Sequence, residues 1–219
     1  MRLVELSHPI VNGMITVPNL PPPVIDEYLT REASRERYAP GTEFSIGRIT
    51  MIANTGTYLD TPFHRFADGI DLAGMPLERL VDLDGVLVRP LERVVTAEAL
   101  RDLDIGGRAL LVNCGWDRHW GTEAYGNGQH PFLTRDAAEW LVASGAALVG
   151  IDSQNIDDTL DASRPAHAIL LGAGIPIVEH LTGLGELPTS GFAFTAAPPR
   201  VVGMGTWPVR AYAKLPDTG

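Results

Sequence analysis

Four short apolar runs in the middle of the chain constrain its fold most strongly. Each run is bounded by glycine, proline or polar residues, as is typical of a buried strand, and the four cover residues 85–91, 109–115, 147–152 and 175–180. Two intervening segments have helical spacing, and each begins with a threonine, a preferred N-cap residue; these are residues 96–103 and 134–145. The middle of the chain therefore alternates between strand and helix.

The flanking segments predict further strands around this middle part. Strand patterns occur in four of them, at residues 3–7, 44–52, 192–204 and 208–215. The proline-rich residues 17–25 predict an extended chain, and residues 26–41 predict a short helix or an irregular charged arm. No linker, repeat or change of composition divides the chain. We therefore predict a single α/β domain over residues 1–219, built on a mixed sheet.

Charge and cysteine content exclude several classes of partner. The 17 basic and 27 acidic residues give a net charge of −10, which argues against nucleic acid or an anionic membrane as the main partner. The chain starts without a long apolar segment, and no run reaches the roughly 18 apolar residues that span a bilayer. The one cysteine, Cys114, lies in an apolar run, which predicts an inert buried thiol. We expect a cytoplasmic protein that binds a small molecule.

Chemically active side chains follow three of the predicted strands directly. Ligand sites of open α/β folds lie at such strand ends, on loops that a rigid sheet holds in place. The clusters are Asp60 with His64, Asp152 with Asn155 and Asp157, and Glu179 with His180. Pro62 predicts a rigid, extended turn that holds Asp60 and His64 in one orientation. Each cluster alone is also typical of ordinary turns, but together they predict a convergent pocket.

Histidines and carboxylates in these positions predict a metal site. Neutral imidazole and carboxylate groups are ligands that suit zinc and manganese. Two of the six histidines, His64 and His167, combine with Asp60 and Glu179 into a set that would leave a position open for water. A surface or core role is the structural alternative for each histidine, and spacing alone does not decide between the two.

The stretch N-T-G-T-Y-L-D-T-P-F-H, residues 54–64, resembles the signature H-x-G-T-H-x-D-x-P-x-H of the putative-cyclase family. That family includes bacterial kynurenine formamidases, isatin hydrolases and proteins of antibiotic biosynthesis. The resemblance continues over nearly the whole chain, in residues 4–14, 114–125, 150–157, 165–184 and 208–213. It implies an α/β fold around a mixed, barrel-like sheet with flanking helices, and assembly into a homodimer or homotetramer.

Two departures from the signature bear on the metal. In the family's hydrolases both histidines of H-x-G-T-H bind metal with the aspartate, whereas this chain has Asn54 and Tyr58 there. An amide is a weak neutral donor, and a phenol, with a pKa near 10, binds metal well only when deprotonated. The resemblance leaves a second metal position at Asp60, His64, His167 and Glu179. Three outcomes stay open: one zinc or manganese ion on those four residues, no metal, or an unusual site that uses Tyr58 and His180.

The reaction depends on that outcome. Without a full dimetal centre, His64 held by Asp60 acts as acid or base while Tyr58 hydrogen-bonds a carbonyl or enolate oxygen. Cyclisation or dehydration of a small carbonyl compound, such as a polyketide-like intermediate, is therefore the first hypothesis. The alternative is metal-dependent hydrolysis of an amide, formamide or lactone, and the third is a non-catalytic small-molecule binder. No organic cofactor is predicted for any of them.

The candidate residues fall into three groups. The candidate metal ligands are Asp60, His64, His167 and Glu179, and the candidate catalytic residues are His64, Asp60, Tyr58 and His180. The candidate substrate-binding residues are Asn54, Trp116, Trp120 and Arg65, because aromatic rings wall pockets and an arginine can hold a carboxylate with two hydrogen bonds. Arg210 is a second candidate for binding a substrate carboxylate in this way.

Overall fold

The computed structural model describes residues 1–216. Within them, the strands are β1 (Arg2–Glu5), β2 (Val24–Leu29), β3 (Ile46–Thr50), β4 (Tyr58–Asp60), β5 (Leu83–Val88), β6 (Val94–Val95), β7 (Ala109–Val112), β8 (Phe132–Leu133), β9 (Leu148–Ile151), β10 (Ile177–Glu179), β11 (Ser190–Thr195), β12 (Thr206–Pro208) and β13 (Tyr212–Leu215). The α-helices are α1 (Arg31–Ser34), α2 (Arg135–Ala143) and α3 (Pro165–Gly172). None of the helices in this part of the chain has both the length and the apolar character to cross a bilayer.

Nine strands form one large sheet, in the order β1, β13, β11, β5, β7, β9, β10, β4, β12. The central strands β5, β7, β9 and β10 run parallel to one another, and the strands on both sides of them pair antiparallel. This confirms the predicted α/β fold on a mixed sheet. The remaining strands form two small pairs, β2 with β3 and β6 with β8.

Alternating side chains of the central strands pack into two separate cores. Leu110 and Val112 of β7 belong to the core that includes the buried residues of α2 and α3, whereas Leu111 packs in the opposite core with Phe192 and Phe194. Strands covered on both faces are apolar at every position rather than at alternate ones. This explains why the sequence locates these strands well.

Three segments differ from the sequence-based expectation. The first part of residues 26–41 belongs to strand β2, and only Arg31–Ser34 is helical. Residues 96–103 contain a single 3-10 turn, Ala97–Ala99, and Thr96 forms no side-chain cap there. Helix α3 follows no amphipathic pattern, since its buried residues are mixed with further apolar ones. Sequence periodicity therefore does not identify it.

The signature segment is also placed differently. We expected residues 54–64 to follow the end of a strand, but Tyr58–Asp60 form β4 themselves, in the sheet between β10 and β12. The turn at Pro62 is a 3-10 turn over Pro62–His64 rather than an extended one. The signature is thus a buried strand that leads directly into a tight turn.

The core between the sheet and the helices should tolerate little loss of volume. Leu110 is fully buried there, so replacing it with alanine should lower the free energy of unfolding by about 2–5 kcal/mol, through lost burial and the remaining cavity. Leu160 is 81% exposed, and Leu160→Ala should change it by less than about 0.5 kcal/mol. Urea unfolding measures both, and similar values for the two variants would contradict this packing.

Candidate active site

The frame of the candidate site is strand β4, which lies between β10 and β12. Glu179 of β10 pairs with Tyr58, and Thr206 of β12 pairs with Asp60. Tyr58 and Asp60 are two positions apart on a strand, so their side chains point to the same face of the sheet. Directly paired residues also share a face. The register therefore brings Tyr58, Asp60, Glu179 and Thr206 together on that face.

The hydroxyl of Thr206 links Asp60 to His64. It donates a short hydrogen bond to Asp60 Oδ1, and it lies 2.7 Å from Nδ1 of His64. A hydroxyl has one proton to donate, and since Asp60 receives it, Nδ1 of His64 must be the donor to the Thr206 oxygen. The other ring nitrogen, Nε2, then carries a free lone pair. Thr206 thus selects the tautomer of His64 that can bind a metal.

The position of His64 also depends on close backbone packing. The N–H of Thr61 donates to the carbonyl of Gly205 at 2.7 Å, which holds the Pro62–His64 turn against β12. A Cβ atom at Gly205 would collide with the backbone of Phe63 and His64. Only glycine leaves room for this approach.

Helix α3 supplies His167, and Asp157 fixes its orientation. The Asp157 carboxylate accepts the N–H of Ala166 at 2.6 Å and that of His167 at 3.1 Å, at the beginning of the helix. Its Oδ2 also lies 2.6 Å from Nδ1 of His167. A carboxylate accepts here, so Nδ1 carries a proton, and Nε2 of His167 is the nitrogen that a metal would bind.

The free nitrogen of His167 faces two further carboxylates. Its Nε2 lies 3.8 Å from Asp60 Oδ2 and 3.6 Å from Glu179 Oε1. Two ligand atoms of a tetrahedral zinc ion, each about 2.1 Å from the metal, are separated by about 3.4 Å. These distances are therefore close to those of a metal site.

The side chains present fit a divalent cation. Ligand atoms of Asp60, His64 and His167 all lie within 4.8 Å of one another. Asp60 Oδ2 is buried and has no hydrogen-bond partner among the described residues, and such an atom costs free energy unless something binds it. His64 has 35% of its side chain exposed, so the set opens toward solvent on one side. Two imidazoles with a carboxylate and an open position are typical of catalytic zinc sites.

Glu179 is the fourth residue of the predicted metal set, and its oxygens already accept hydrogen bonds. Oε1 accepts the N–H of Ile156 at 2.6 Å, and Oε2 accepts the Tyr58 hydroxyl at 2.7 Å. Burial raises the pKa of the Tyr58 phenol well above its usual value, and the charges of Glu179 and Asp60 add to this effect. Tyr58 therefore keeps its proton and donates it to Glu179, instead of offering a phenolate to a metal.

His180 continues this hydrogen-bonded chain away from the metal set. Its Nε2 lies 3.3 Å from the Tyr58 hydroxyl, and its Nδ1 lies 2.8 Å from the hydroxyl of Tyr125. Burial lowers the pKa of His180 to about 3, with smaller effects of His8 and His130, so the ring is neutral. Both of its nitrogens have partners, and neither is free for a metal.

Negative charge accumulates around His167. Burial alone would lower the pKa of His167, but Glu179, Asp157 and Asp60 together raise it to about 10. Burial raises the pKa of Glu179 to about 7, against the opposing effect of His167. Without a metal, His167 balances these carboxylates as a cation. A divalent ion would supply that positive charge instead and leave the imidazole neutral for ligation.

A cavity of about 260 Å³ opens above these groups. It is lined by Asn54, Tyr58, His64, Arg65, Asn155, Ala162, Ser163, Arg164, His167 and Glu179. Asn54 and Arg65, two of the four candidate substrate-binding residues, belong to this lining. Asp60 is fully buried and is not part of this lining.

The two candidate tryptophans lie elsewhere. Trp120 stacks on His8 with ring centroids 3.9 Å apart and lines a different cavity. Trp116 donates its indole N–H to the carbonyl of Tyr125 at 3.1 Å and lies beside Cys114 in a third depression. Arg210 forms an ion pair with Glu5 at 2.8 Å and also lies outside the candidate site.

The contacts of Cys114 and Asp152 indicate structural roles for both residues. Burial raises the pKa of the Cys114 thiol well above its usual value, and the charge of Asp152 adds to this, which agrees with an inert thiol. The Asp152 carboxylate accepts the backbone N–H groups of Cys114 and Gly115 at 2.8 and 2.7 Å. It shapes that loop and does not line the cavity.

Sequence reasoning missed Thr206 and Arg164 and assigned no role to Asp157. Thr206 lies between two predicted strands, residues 192–204 and 208–215, and only the register with β4 brings it to Asp60. Asp157 was part of a predicted acidic cluster, but its position at the beginning of α3 depends on a helix that the pattern did not indicate. Pairing and packing, rather than local sequence, determine both roles.

Comparison with known proteins places this geometry in a family. The family model described as "Putative cyclase" matches residues 4–158. A kynurenine formamidase of Bacillus cytotoxicus is 27% identical over 223 residues, with 95% of each chain covered. One of Bacillus mycoides is 28% identical over 218 residues, again with 95% of each covered.

Solved structures agree with this result. Isatin hydrolase A from Ralstonia solanacearum has a TM-score of 0.83 at 21% identity, with 98% of this chain and 92% of that chain covered. A protein described as a potential metal-dependent hydrolase with cyclase activity has a TM-score of 0.79 at 25% identity, with 97% and 96% covered. From the sheet, the signature strand and these relatives together, the chain belongs to the putative-cyclase family of enzymes.

Proposed function

We propose that this enzyme is a metal-dependent hydrolase that cleaves an amide, formamide or lactone bond of a small molecule. The observation that carries the proposal is the buried, unpartnered Asp60 Oδ2 beside the imidazoles of His64 and His167. The relatives that match over most of the chain are named kynurenine formamidase. The cyclisation of a polyketide-like intermediate, our first hypothesis, finds no support among these relatives, and hydrolysis takes its place.

The chain's own residues prepare the site for one ion. Asp60, His64 and His167 would hold zinc or manganese, and Glu179 completes the set with Oε1 at 3.6 Å from His167 Nε2. Such an ion, when bound, lowers the pKa of a coordinated water to about 7 and polarises a carbonyl. Thr206 and Asp157 keep both imidazoles in the ligating tautomer. Tyr58 holds Glu179 in place, and the small cavity restricts the substrate.

Loss of His167 should abolish both bound metal and hydrolysis. The wild-type protein, purified without chelator and incubated with zinc or manganese, should contain about one ion per chain. His167→Ala should contain almost none and should lose more than about 100-fold in kcat/KM on formanilide. Elemental mass spectrometry against protein concentration and an amide-hydrolysis assay measure the two quantities.

The matched control for this experiment is His119→Ala. His119 is partly exposed and lies outside the cavity, so this variant should retain both metal and activity. Wild-type turnover by His167→Ala, or hydrolysis that is insensitive to removal of metal, would overturn the proposed function.

The hydroxyl of Thr206 should matter for metal affinity, although it binds no metal itself. Removing a group that hydrogen-bonds a metal ligand typically lowers metal affinity 10–100-fold. Thr206→Val should therefore bind zinc roughly 10–100-fold more weakly. Thr206→Ser keeps the hydroxyl and should bind zinc nearly as the wild type does. Competition with a chromogenic chelator gives the dissociation constants, and equal affinity of the valine and serine variants would refute the role of the hydroxyl.

We also infer that the enzyme forms a homodimer or homotetramer through the β2–β3 hairpin. All five residues of β3 and five of the six residues of β2 are exposed. Ile25 and Ile49 pair across the hairpin, and Ile46 and Phe44 are further exposed apolar side chains of this segment. A protruding apolar ribbon of this kind is unfavourable in water and is typical of an interface.

A charge on this hairpin should weaken assembly. We expect Ile49→Asp to shift the molar mass toward that of a single chain of 23.6 kDa, because burying an unpaired carboxylate in an apolar interface is costly. Val202, which is 82% exposed and outside the hairpin, provides the control Val202→Asp. Light scattering after size exclusion reports the mass, and a monomeric wild type would exclude this interface.

The predicted cytoplasmic location stays a prediction.

A further inference from the structure

Two arginines line the same cavity as the candidate metal ligands, and neither forms an ion pair among the described residues. We propose that Arg65 and Arg164 bind a carboxylate or a comparable anionic group of the substrate, so that the enzyme hydrolyses small anionic amides, formamides or lactones in preference to neutral ones. This inference rests on the proposed hydrolase function and adds the substrate class to it.

Arg65 directly follows the candidate ligand His64 and extends along the cavity wall. Its guanidinium lies 5.5 Å from the centre of the Phe66 ring, a contact that supports the side chain without neutralising it. Within residues 1–216, the side chain of Arg65 forms no ion pair and no hydrogen bond. Its five N–H donors therefore remain available to a ligand in the cavity.

Arg164 is held in place by neutral groups only. Its Nη1 donates to the carbonyl of Asp158 at 3.2 Å and to the side-chain oxygen of Asn155 at 3.4 Å. The neighbouring carboxylate of Asp161 accepts the N–H of Ser163 at 2.9 Å and forms no ion pair with Arg164 in the described part of the chain. The guanidinium is thus oriented but keeps its full charge, as an anion site requires.

The backbone of Arg164 is also unusual. Its φ is +48°, in the left-handed region, directly before helix α3, and the side chain does not cap that helix. Glycine or asparagine would adopt this conformation at lower cost. Strained conformations of other residues cluster at functional sites, where the side chain is needed. The arginine at this position is therefore better explained by its side chain in the cavity than by the turn it occupies.

The negative charge around the cavity favours a role for these arginines in binding an anionic substrate. The chain has a net charge of −10, and the floor of the site contains the buried carboxylates of Asp60, Asp157 and Glu179. An anionic substrate would be repelled by this background. Two guanidinium groups on the cavity wall oppose this negative background and can attract and orient such a substrate.

The test compares two substrates that differ by one carboxylate, formanilide and N-formylanthranilate, in the zinc-loaded enzyme. The wild type should favour the acid by at least about tenfold in kcat/KM, the scale of a charge-assisted hydrogen bond. Arg65→Gln and Arg164→Gln should each remove most of this preference, because each should lower kcat/KM for the acid far more than for formanilide. Arg101→Gln, which alters an exposed ion pair with Glu98, controls for net charge. A preference absent in the wild type, or unchanged in both variants, would overturn the proposal.

A binding measurement separates this inference from the hydrolase proposal. Calorimetric titration of the zinc-loaded protein with benzoate and isophthalate compares one carboxylate with two, so a metal contact common to both cancels in the ratio. If neither amide is hydrolysed but isophthalate binds at least about tenfold more tightly, and only with both arginines present, the proposed function fails and the anion site stands. Equal affinity for the two acids would overturn the anion site. Arg65→Gln changes an exposed side chain, so it remains informative even if Arg164→Gln does not fold.

Discussion

The site depends most on the hydrogen bonds that the Asp157 carboxylate accepts. This carboxylate accepts two backbone N–H groups at the beginning of α3 and also fixes the His167 ring. The first turn of a helix has backbone donors without partners, and a negative charge there is favourable. One buried group therefore stabilises the helix, places His167 opposite β4, and determines which ring nitrogen faces the cavity. Helix position and ligand chemistry cannot be separated here.

On the sheet side, the corresponding constraint is the register of β4. A shift by one residue would turn Tyr58 and Asp60 to the opposite face and separate Asp60 from Thr206. The antiparallel partners on both sides, β10 and β12, exclude such a shift because each contributes a residue that bonds to the strand. This explains why acids, imidazoles and hydroxyls from distant parts of the sequence converge at one point.

The sequence predicted the elements that are apolar on both faces and the residues that follow them. The central strands were located correctly because covered strands have continuous apolar runs, and Glu179 was identified by its place at the end of such a strand. Asp60 and His64 were identified in the segment that follows the alternating residues 44–52. Helix α3 was missed because it is apolar on most sides, and β2 was missed because it is exposed and contains the adjacent acids Asp26 and Glu27 instead of a regular alternation. The roles of Thr206 and Arg164 depend on pairing and on backbone conformation, which no local pattern records.

The tyrosine at position 58 has a further consequence for the physical character of the site. A phenol that donates to Glu179 joins Tyr125, His180 and Glu179 into one line of hydrogen bonds. Together with the bonds of Thr206 and Asp157, this line orders the candidate ligands through contacts within the protein itself. Metal loading should then require little rearrangement, because the loss of side-chain entropy has already occurred during folding. The site behaves as a rigid receptor for an ion rather than as a loop that the ion must organise.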